Sequence, residues 1–291
     1  MAPFHDMPPF HDMSGEPVRG PYDEESPQQL FLDPEMLAQE LAQELLGDPL
    51  DDLDSSDPAA ADVAAECDQG LELLRRAQQQ QQPDAASHDL RMQGLRIFCE
   101  HRDPRALPLL LPLLQAPCPI HRMSAVYALG RNPNPLAVEP LLALLAADDN
   151  GYVRKAVAWS LGSYPDAPVL NPLMRALQVD IAAVRLWAAS SLAEAAVNAP
   201  AKADPAAAQL LLSLRIDTEA AVRSNSAWAL GRLYADLVAP RQQKVVEVLL
   251  GTMLEDGDSG VRDEARLALE QLENPELLER LQTLVDEGLL S

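Results

Sequence analysis

Six arginines recur along this chain, each preceded by Val, Leu or His and followed at a fixed distance by a small residue, Cys or Glu. The intervals between them are 31, 32, 31, 38 and 39 residues. A guanidinium offers five N–H donors in a rigid fork, so such a row suits carboxylate pairing between repeats or the gripping of an anionic ligand. The six are Arg91, Arg122, Arg154, Arg185, Arg223 and Arg262.

Acidic residues just upstream of the arginines favour the first interpretation, a structural ladder between neighbouring repeats. They are Asp89, Asp149, Asp180, Asp217 and Asp258. The alternative is that Arg154, Arg185 and Arg223 bind the carboxylates of a ligand or of an acidic partner.

Aromatic residues keep register with the arginines. Tyr127, Trp159 and Trp228 each lie three residues before a repeated glycine, and Trp187 lies one turn earlier in its own repeat. A row of this kind on one flank of a helix could stack on a planar ligand or anchor a protein partner. Packing between repeats is the alternative.

Two of the three cysteines fall in neighbouring repeats. Cys99 ends one predicted helix and Cys118 precedes the next arginine-bearing helix, whereas Cys67 lies outside the predicted array. Thiolates are ligands for metals and iron–sulfur clusters, so Cys99 and Cys118 are candidate metal ligands. Burial as small apolar side chains is the alternative.

The recurrence predicts an all-α solenoid of about six helical hairpins, since each unit can bury its apolar face only against its neighbours. Asp or Asn followed by Pro opens first helices at Asp103, Asn134 and Asp204, and Ala167-Pro168 opens another. A further Asn-Pro opens the last, at Asn274. The second helix of each unit carries the arginine.

Two further residue types recur in register within these helices. We expect the recurrent prolines to kink the first helices and the recurrent glycines to end the second helices in a left-handed conformation. The prolines are Pro108, Pro140 and Pro172, and the glycines are Gly130, Gly162 and Gly231.

Charge divides the chain unequally. The formal net charge is −23, of which residues 1–66 contribute −16 and residues 67–291 contribute −7. We expect residues 1–60 to be a disordered acidic tail with one short helix and a duplicated Pro-Phe-His-Asp-Met segment. Residues 61–84 are expected to form a helix and a Gln-rich linker, and residues 85–291 the solenoid.

Composition also bears on location and partners. An acidic chain without a basic stripe is unlike a protein that binds a nucleic-acid backbone. No apolar run is long enough to span a bilayer, and no secretory signal is evident. With three unpaired cysteines, these features predict a cytoplasmic protein.

The repeat, a proline-opened helix followed by Val-Arg-x-x-Ala-x-x-Ala-Leu-Gly, resembles the HEAT-repeat superfamily. The stretches Cys118–Pro133, Asn150–Lys155 and Ala183–Ala188 are more distinctive. They resemble the HEAT-like repeats of phycobilin lyases, and within these a cyanobacterial branch that includes a partner of an A-type iron–sulfur carrier protein. His121 stands where other repeats have Val or Leu.

This resemblance implies a phycobilin lyase that binds bilin and a phycobiliprotein subunit during phycobilisome assembly, with or without a second HEAT-repeat chain. The alternative is a non-enzymatic adaptor that binds the iron–sulfur carrier and shares its cluster. No conventional active site is visible, because the chain has neither a Gly-rich phosphate loop nor a Cys-x-x-Cys, His-Glu or His-x-x-x-His pair.

Overall fold

The computed structural model describes residues 60–80, 85–272 and Leu277, and every regular element in these ranges is a helix. The predicted tail, its short helix and the duplicated segment lie outside the described residues, as does the helix predicted at Asn274. The described helices, with short 3-10 turns beside several of them, are α1 (Ala60–Gln79), α2 (Ala85–Glu100), α3 (Leu107–Leu110), α4 (Pro119–Arg131), α5 (Pro135–Ala147), α6 (Gly151–Ser160), α7 (Leu170–Val179), α8 (Ala182–Ala196), α9 (Pro200–Ile216), α10 (Ala220–Leu233), α11 (Ala239–Glu255) and α12 (Ser259–Gln271).

These helices form six consecutive pairs, which confirms the predicted solenoid. The even-numbered helices are the second helices, and each packs directly on the second helices before and after it. First helices contact one another less. Because consecutive second helices approach more closely than consecutive first helices, they form the inner layer of the stack.

The first pair begins one helix earlier than the predicted boundary at residue 85. Helix α1 packs along α2. It buries Leu71, Leu74 and Ala77 at 1%, 1% and 0% exposure. An apolar face of this kind needs a partner surface, and α1, the helix predicted ahead of the array, therefore packs as its first helix.

The core follows from the position of each side chain relative to the repeated arginine. The residues one before, three after and seven after the arginine share a helix face, because they are spaced by four. The seventh residue after the arginine is 0% exposed in all six repeats: Phe98, Leu129, Leu161, Leu192, Leu230 and Leu269.

Local signals open two of the first helices as expected. The Asp103 carboxylate accepts from the Arg105 N–H, and the Asn134 side chain accepts from the Leu136 N–H. Prolines split the segment after Asp103 into a 3-10 turn (Pro104–Ala106), α3, and a second 3-10 turn (Leu111–Gln115). Proline lacks the N–H that a continuous α-helix requires.

Two predicted helix starts are wrong. Helix α9 begins at Pro200, so that Pro205 lies inside it, and α7 begins at Leu170 rather than at Pro168. A capping residue followed by proline is a local signal for a helix start, but α9 is already helical from Pro200, which follows the N-cap residue Ala199.

The expected left-handed helix ends at the repeated glycines are also wrong. The described glycines have no positive φ, and Gly130 and Gly231 lie within their helices. These glycines allow close approach instead. A Cβ at Gly130 would lie 2.5 Å from Cζ3 of Trp159, and one at Gly162 would lie 3.0 Å from Oγ of Ser191.

Among the described helices, none combines the length and apolar character needed to cross a membrane.

Candidate functional site

Four of the repeated arginines form a ladder that runs from repeat to repeat. Arg154 donates from Nε and Nη2 to the Asp180 carboxylate at 2.8 and 2.7 Å, and from Nη1 to the Asp148 carbonyl oxygen at 2.7 Å. The same two-pronged pairing with an aspartate of the following repeat recurs at three more positions. The pairs are Arg122–Asp148, Arg185–Asp217 and Arg223–Asp256.

The carboxylates of the ladder are those that end the first helices, which corrects two of the upstream acids expected from the sequence. Asp148, not Asp149, accepts from Arg122, and Asp256, not Asp258, accepts from Arg223. Asp258 instead caps α12 by accepting from the Val261 N–H.

The ladder lowers the pKa values of three of its aspartates. Burial is the largest influence on Asp148 and Asp217 and raises their pKa, but the hydrogen bonds from Arg122 and Arg185, the backbone N–H donors and the nearby arginine charges together outweigh it. Both pKa values therefore fall below the ordinary aspartate range. The hydrogen bond from Arg223 is the main cause of the lowered pKa of Asp256. These carboxylates are therefore ionised partners held by the fold.

The three candidate ligand-binding arginines thus lie in the ladder. The side chains of Arg154, Arg185 and Arg223 are only 19%, 17% and 16% exposed, and all three nitrogens of each guanidinium donate within the chain. A ligand carboxylate would have to displace an aspartate to reach them.

The aromatic residues take a different position. Tyr127, Trp159 and Trp228 each lie five residues after the repeated arginine, about 160° around the helix from the core stripe. They are half-buried side chains on the face of the inner layer that points away from the core. Ser190 and Leu267 occupy the same position in two other repeats. We call these five residues the inner row.

Neighbours within the inner row support one another. The rings of Tyr127 and Trp159 lie 5.3 Å apart at 59°, and the indole of Trp159 also covers Gly130. The Arg232 guanidinium lies 5.7 Å from the centroid of the Trp228 ring. Leu267, the last residue of the row, is 45% exposed.

Trp187 lies outside the inner row. It is two residues after Arg185, half-buried, and its Nε1–H is buried without a hydrogen-bond acceptor among the described residues. The structure therefore does not place it in line with Tyr127, Trp159 and Trp228.

The inner layer is also the basic part of an acidic chain. Helices α4, α6, α8 and α10 contain seven arginines or lysines and one acidic residue, Glu194. Four of the bases belong to the ladder. Arg131 and Arg232 lie nine residues after their repeat arginines, which places them one turn beyond Tyr127 and Trp228. This repeated spacing was the sequence signal that would have identified them.

The two candidate metal-binding cysteines do not come together. Cys99 is near the carboxyl end of α2, where its Sγ lies 3.5 Å from the Ser124 carbonyl oxygen, and burial raises its pKa to about 12. Cys118 is the N-cap residue of α4 and makes no capping hydrogen bond through its side chain. Ser124 lies six residues after Cys118, so about 9 Å of α4 separates the contact made by Cys99 from Cys118.

Cys118 instead lies beside two histidines. Potential ligand atoms of His88, Cys118 and His121 all lie within 4.8 Å of one another. Burial, with smaller contributions from His88 and Arg91, lowers the pKa of His121 to about 4, so its ring is neutral at pH 7. The replacement of Val or Leu by His at position 121 was the sequence signal for this cluster.

The repeat pattern matches that of a known protein family. A family model described as HEAT repeats matches residues 80–162 and 138–231, which together make up more than half of the chain. None of the curated proteins compared with the chain matches it.

Solved structures share the fold. A designed armadillo repeat protein is 20% identical, with a TM-score of 0.50 over 69% of this chain and 100% of its own. Yeast importin-beta is 17% identical, with a TM-score of 0.51 over 87% of this chain and 38% of its own. A chain of the Kap95:Nup1 complex is 18% identical, with a TM-score of 0.55 over 88% and 36%. At these identities the likeness shows the fold alone.

Proposed function

Because the chain belongs to the HEAT-repeat family, we propose that it is a protein-binding scaffold whose partner docks along the inner row. The observation that carries this proposal is the recurrence of partly exposed Tyr127, Trp159 and Trp228 at one position of the inner layer. Tryptophan and tyrosine are enriched among the residues that dominate binding energy at protein interfaces. The ladder arginines hold neighbouring repeats in register and do not contact the partner.

Charge indicates the chemistry of the partner. Beyond the ladder, Arg131 and Arg232 flank the inner row, whereas the chain as a whole carries −23. A partner segment with apolar side chains spaced to meet the row and acidic side chains to meet the arginines matches this surface. The Arg232 side chain is 46% exposed and pairs with Glu194 at 3.2 Å, so it remains within reach of such a segment.

The resemblance to phycobilin lyases extends the proposal to named partners. The finer proposal is a phycobiliprotein subunit carrying its bilin, with the tetrapyrrole held against the aromatic faces of the inner row. The alternative is an A-type iron–sulfur carrier that docks on the same row. Neither partner needs Arg154, Arg185 or Arg223, whose donors are already used in the ladder.

Co-expression separates these partners. The tagged chain is produced with phycocyanobilin and apo-phycobiliprotein subunits, and separately with an A-type carrier. Zinc-enhanced bilin fluorescence on a subunit without carrier binding supports the lyase function, and stable co-purification with the carrier without bilin transfer supports the adaptor. If neither occurs, both named partners are wrong and the scaffold proposal is tested on the partner that affinity capture and mass spectrometry identify.

Variants then locate the docking surface on whichever partner binds. Leu267→Asp and Arg232→Glu change exposed side chains of the inner layer, and we expect each to weaken binding about tenfold or more, a loss of about 1.4 kcal/mol. Leu136→Asp is the matched control, because Leu136 is 68% exposed on a first helix. Unchanged affinity in both inner-layer variants would place the partner elsewhere.

A further inference from the structure

Three side chains with metal-binding chemistry meet at the amino ends of two neighbouring second helices. His88 lies in the first turn of α2, Cys118 is the N-cap residue of α4, and His121 lies in the first turn of α4. Their potential ligand atoms all lie within 4.8 Å of one another, and the two imidazole rings are 4.6 Å apart with planes tilted by 34°. The parallel alignment of α2 and α4 brings together residues about 30 positions apart in sequence.

An independent observation indicates that the cluster lacks a ligand. His121 is 5% exposed, and its Nε2 atom is buried with no hydrogen-bond partner within the described part of the chain. Buried polar atoms are almost always satisfied, because leaving one unpaired costs free energy. An imidazole nitrogen left unpaired beside a thiol and a second imidazole is what a metal ion would satisfy.

We propose that His88, Cys118 and His121 form a Zn²⁺ site with one open coordination position. Two imidazoles and one thiolate suit zinc, which binds nitrogen at about 2.0–2.1 Å and sulfur at about 2.3 Å. The thiol of Cys118 releases its proton to solvent as the Zn–S bond forms. His88 and Cys118 are both partly exposed, so the fourth position faces solvent and takes a water molecule.

Closing the site requires small movements. Tetrahedral zinc with these bond lengths holds two nitrogens and one sulfur about 3.3–3.6 Å apart, whereas the three potential ligand atoms now lie within 4.8 Å of one another. Side-chain rotation of partly exposed His88 and Cys118 shortens these distances without moving the buried His121. Arg91 is close enough to affect His121 and opposes a cation, but its guanidinium donates to the Ala77 carbonyl oxygen and to Ser87, and the thiolate offsets one positive charge.

This site is separate from the proposed docking row, which begins at Tyr127, two turns further along α4. Its test therefore does not depend on whether a partner is found. The three ligands share no residue with the ladder, although His121 directly precedes Arg122 and Cys118 lies four residues before it.

The test is metal titration of the full-length chain after chelator treatment, with Zn²⁺ competed against a chromophoric chelator and Co²⁺ as a spectroscopic substitute. We expect one Zn²⁺ per chain and a cobalt spectrum with thiolate-to-metal charge transfer. His88→Ala and Cys118→Ser each lower Zn²⁺ affinity at least tenfold, and Cys118→Ser abolishes the charge-transfer band. His88 is partly exposed, so its replacement should perturb the fold less than replacement of the buried His121.

Cys99→Ser is the matched control, because Cys99 is also a partly buried free cysteine near α4 and lies outside the cluster. It should bind Zn²⁺ as the unaltered chain does and keep the cobalt charge-transfer band. Absence of Zn²⁺ binding in the unaltered chain overturns the proposal. So does binding that survives Cys118→Ser or is lost equally in Cys99→Ser.

Discussion

Single residues in this protein are best understood through the neighbouring repeat. Gly130 matches a helix-ending glycine when its own repeat is considered alone, yet its missing Cβ leaves room for the indole of Trp159. In the sequence, His121 is only a single departure from the Val or Leu found at this core position in other repeats. In the structure, its ring meets that of His88 across the interface between two repeats. Both facts depend on the alignment of helices from different repeats, which local sequence does not encode.

Gly130→Ala should therefore destabilise the protein. The added methyl group would lie 2.5 Å from Trp159 Cζ3, and overpacking of this kind costs about 1–3 kcal/mol. Urea unfolding measures the change. Gly251→Ala in α11 is the control, because nothing lies within 4 Å of its Cβ position. There the smaller entropy of alanine in the unfolded chain should add about 0.5–1 kcal/mol, and equal losses in both variants would contradict the close-approach explanation.

Arg154→Ala tests a single rung of the ladder. It leaves the Asp180 carboxylate, 11% exposed, without its bidentate partner. Loss of a fully buried partner costs about 3–5 kcal/mol, and residual solvent exposure should lower this to about 2 kcal/mol in urea unfolding. Arg96→Ala is the comparison, since Arg96 pairs with Glu100 at 83% and 57% exposure and should change stability little. A loss no larger than that of Arg96→Ala would mean that the ladder contributes no stability.

At the scale of helices, the sequence predicts those features that depend on residues close to one another in the chain. The Asp103 and Asn134 caps, the six pairs and the buried residue seven after each arginine all follow from short spacing rules. The start of α9 does not, because Asp204 and Pro205 look like a local start signal although the helix already begins at Pro200. The sequence predicts that arginines pair with aspartates between repeats. Which aspartates pair, such as Asp148 and Asp256, is decided by the packing of adjacent repeats.

The ladder also predicts how the helical pairs respond to acid. The pKa values of Asp148, Asp217 and Asp256 are lowered in the folded chain, so their contribution is complete above the unfolded value of about 3.9 and is lost as pH falls through the lower folded values. Urea unfolding of Asp217→Asn should show a stability deficit near neutral pH that shrinks below about pH 4. A deficit that is the same at all pH values would show that the lost interaction is not ionic.

At the scale of the whole array, each helical pair contacts its neighbours and few distant elements. Stability is then a sum of repeat and interface contributions, and damage at one interface stays local. Hydrogen exchange of Gly130→Ala should show lost protection in α4 and α6, which meet at Gly130 and Trp159, while α12 keeps its protection. Uniform loss along the chain would instead indicate one fully cooperative unit.

The architecture also explains why the function takes the form of a surface. The inner layer is a stack of parallel second helices whose outward position repeats as Tyr127, Trp159, Ser190, Trp228 and Leu267. The row's register comes from the arginine ladder. Ser190 interrupts its apolar character, and the charged Arg96 takes the same position in the first repeat. Binding along such a row adds contributions from several repeats rather than concentrating them in one pocket.

The most direct test of the account is a titration of the identified partner against two pairs of double variants. Arg232→Glu with Leu267→Asp alters the inner layer, and Leu136→Asp with Leu212→Asp alters exposed leucines of the first helices, at 68% and 46% exposure. Circular dichroism first confirms that both chains are folded. We predict an affinity loss of about a hundredfold for the inner-layer pair and less than about threefold for the other. Weaker binding only in the first-helix pair would contradict the central claim.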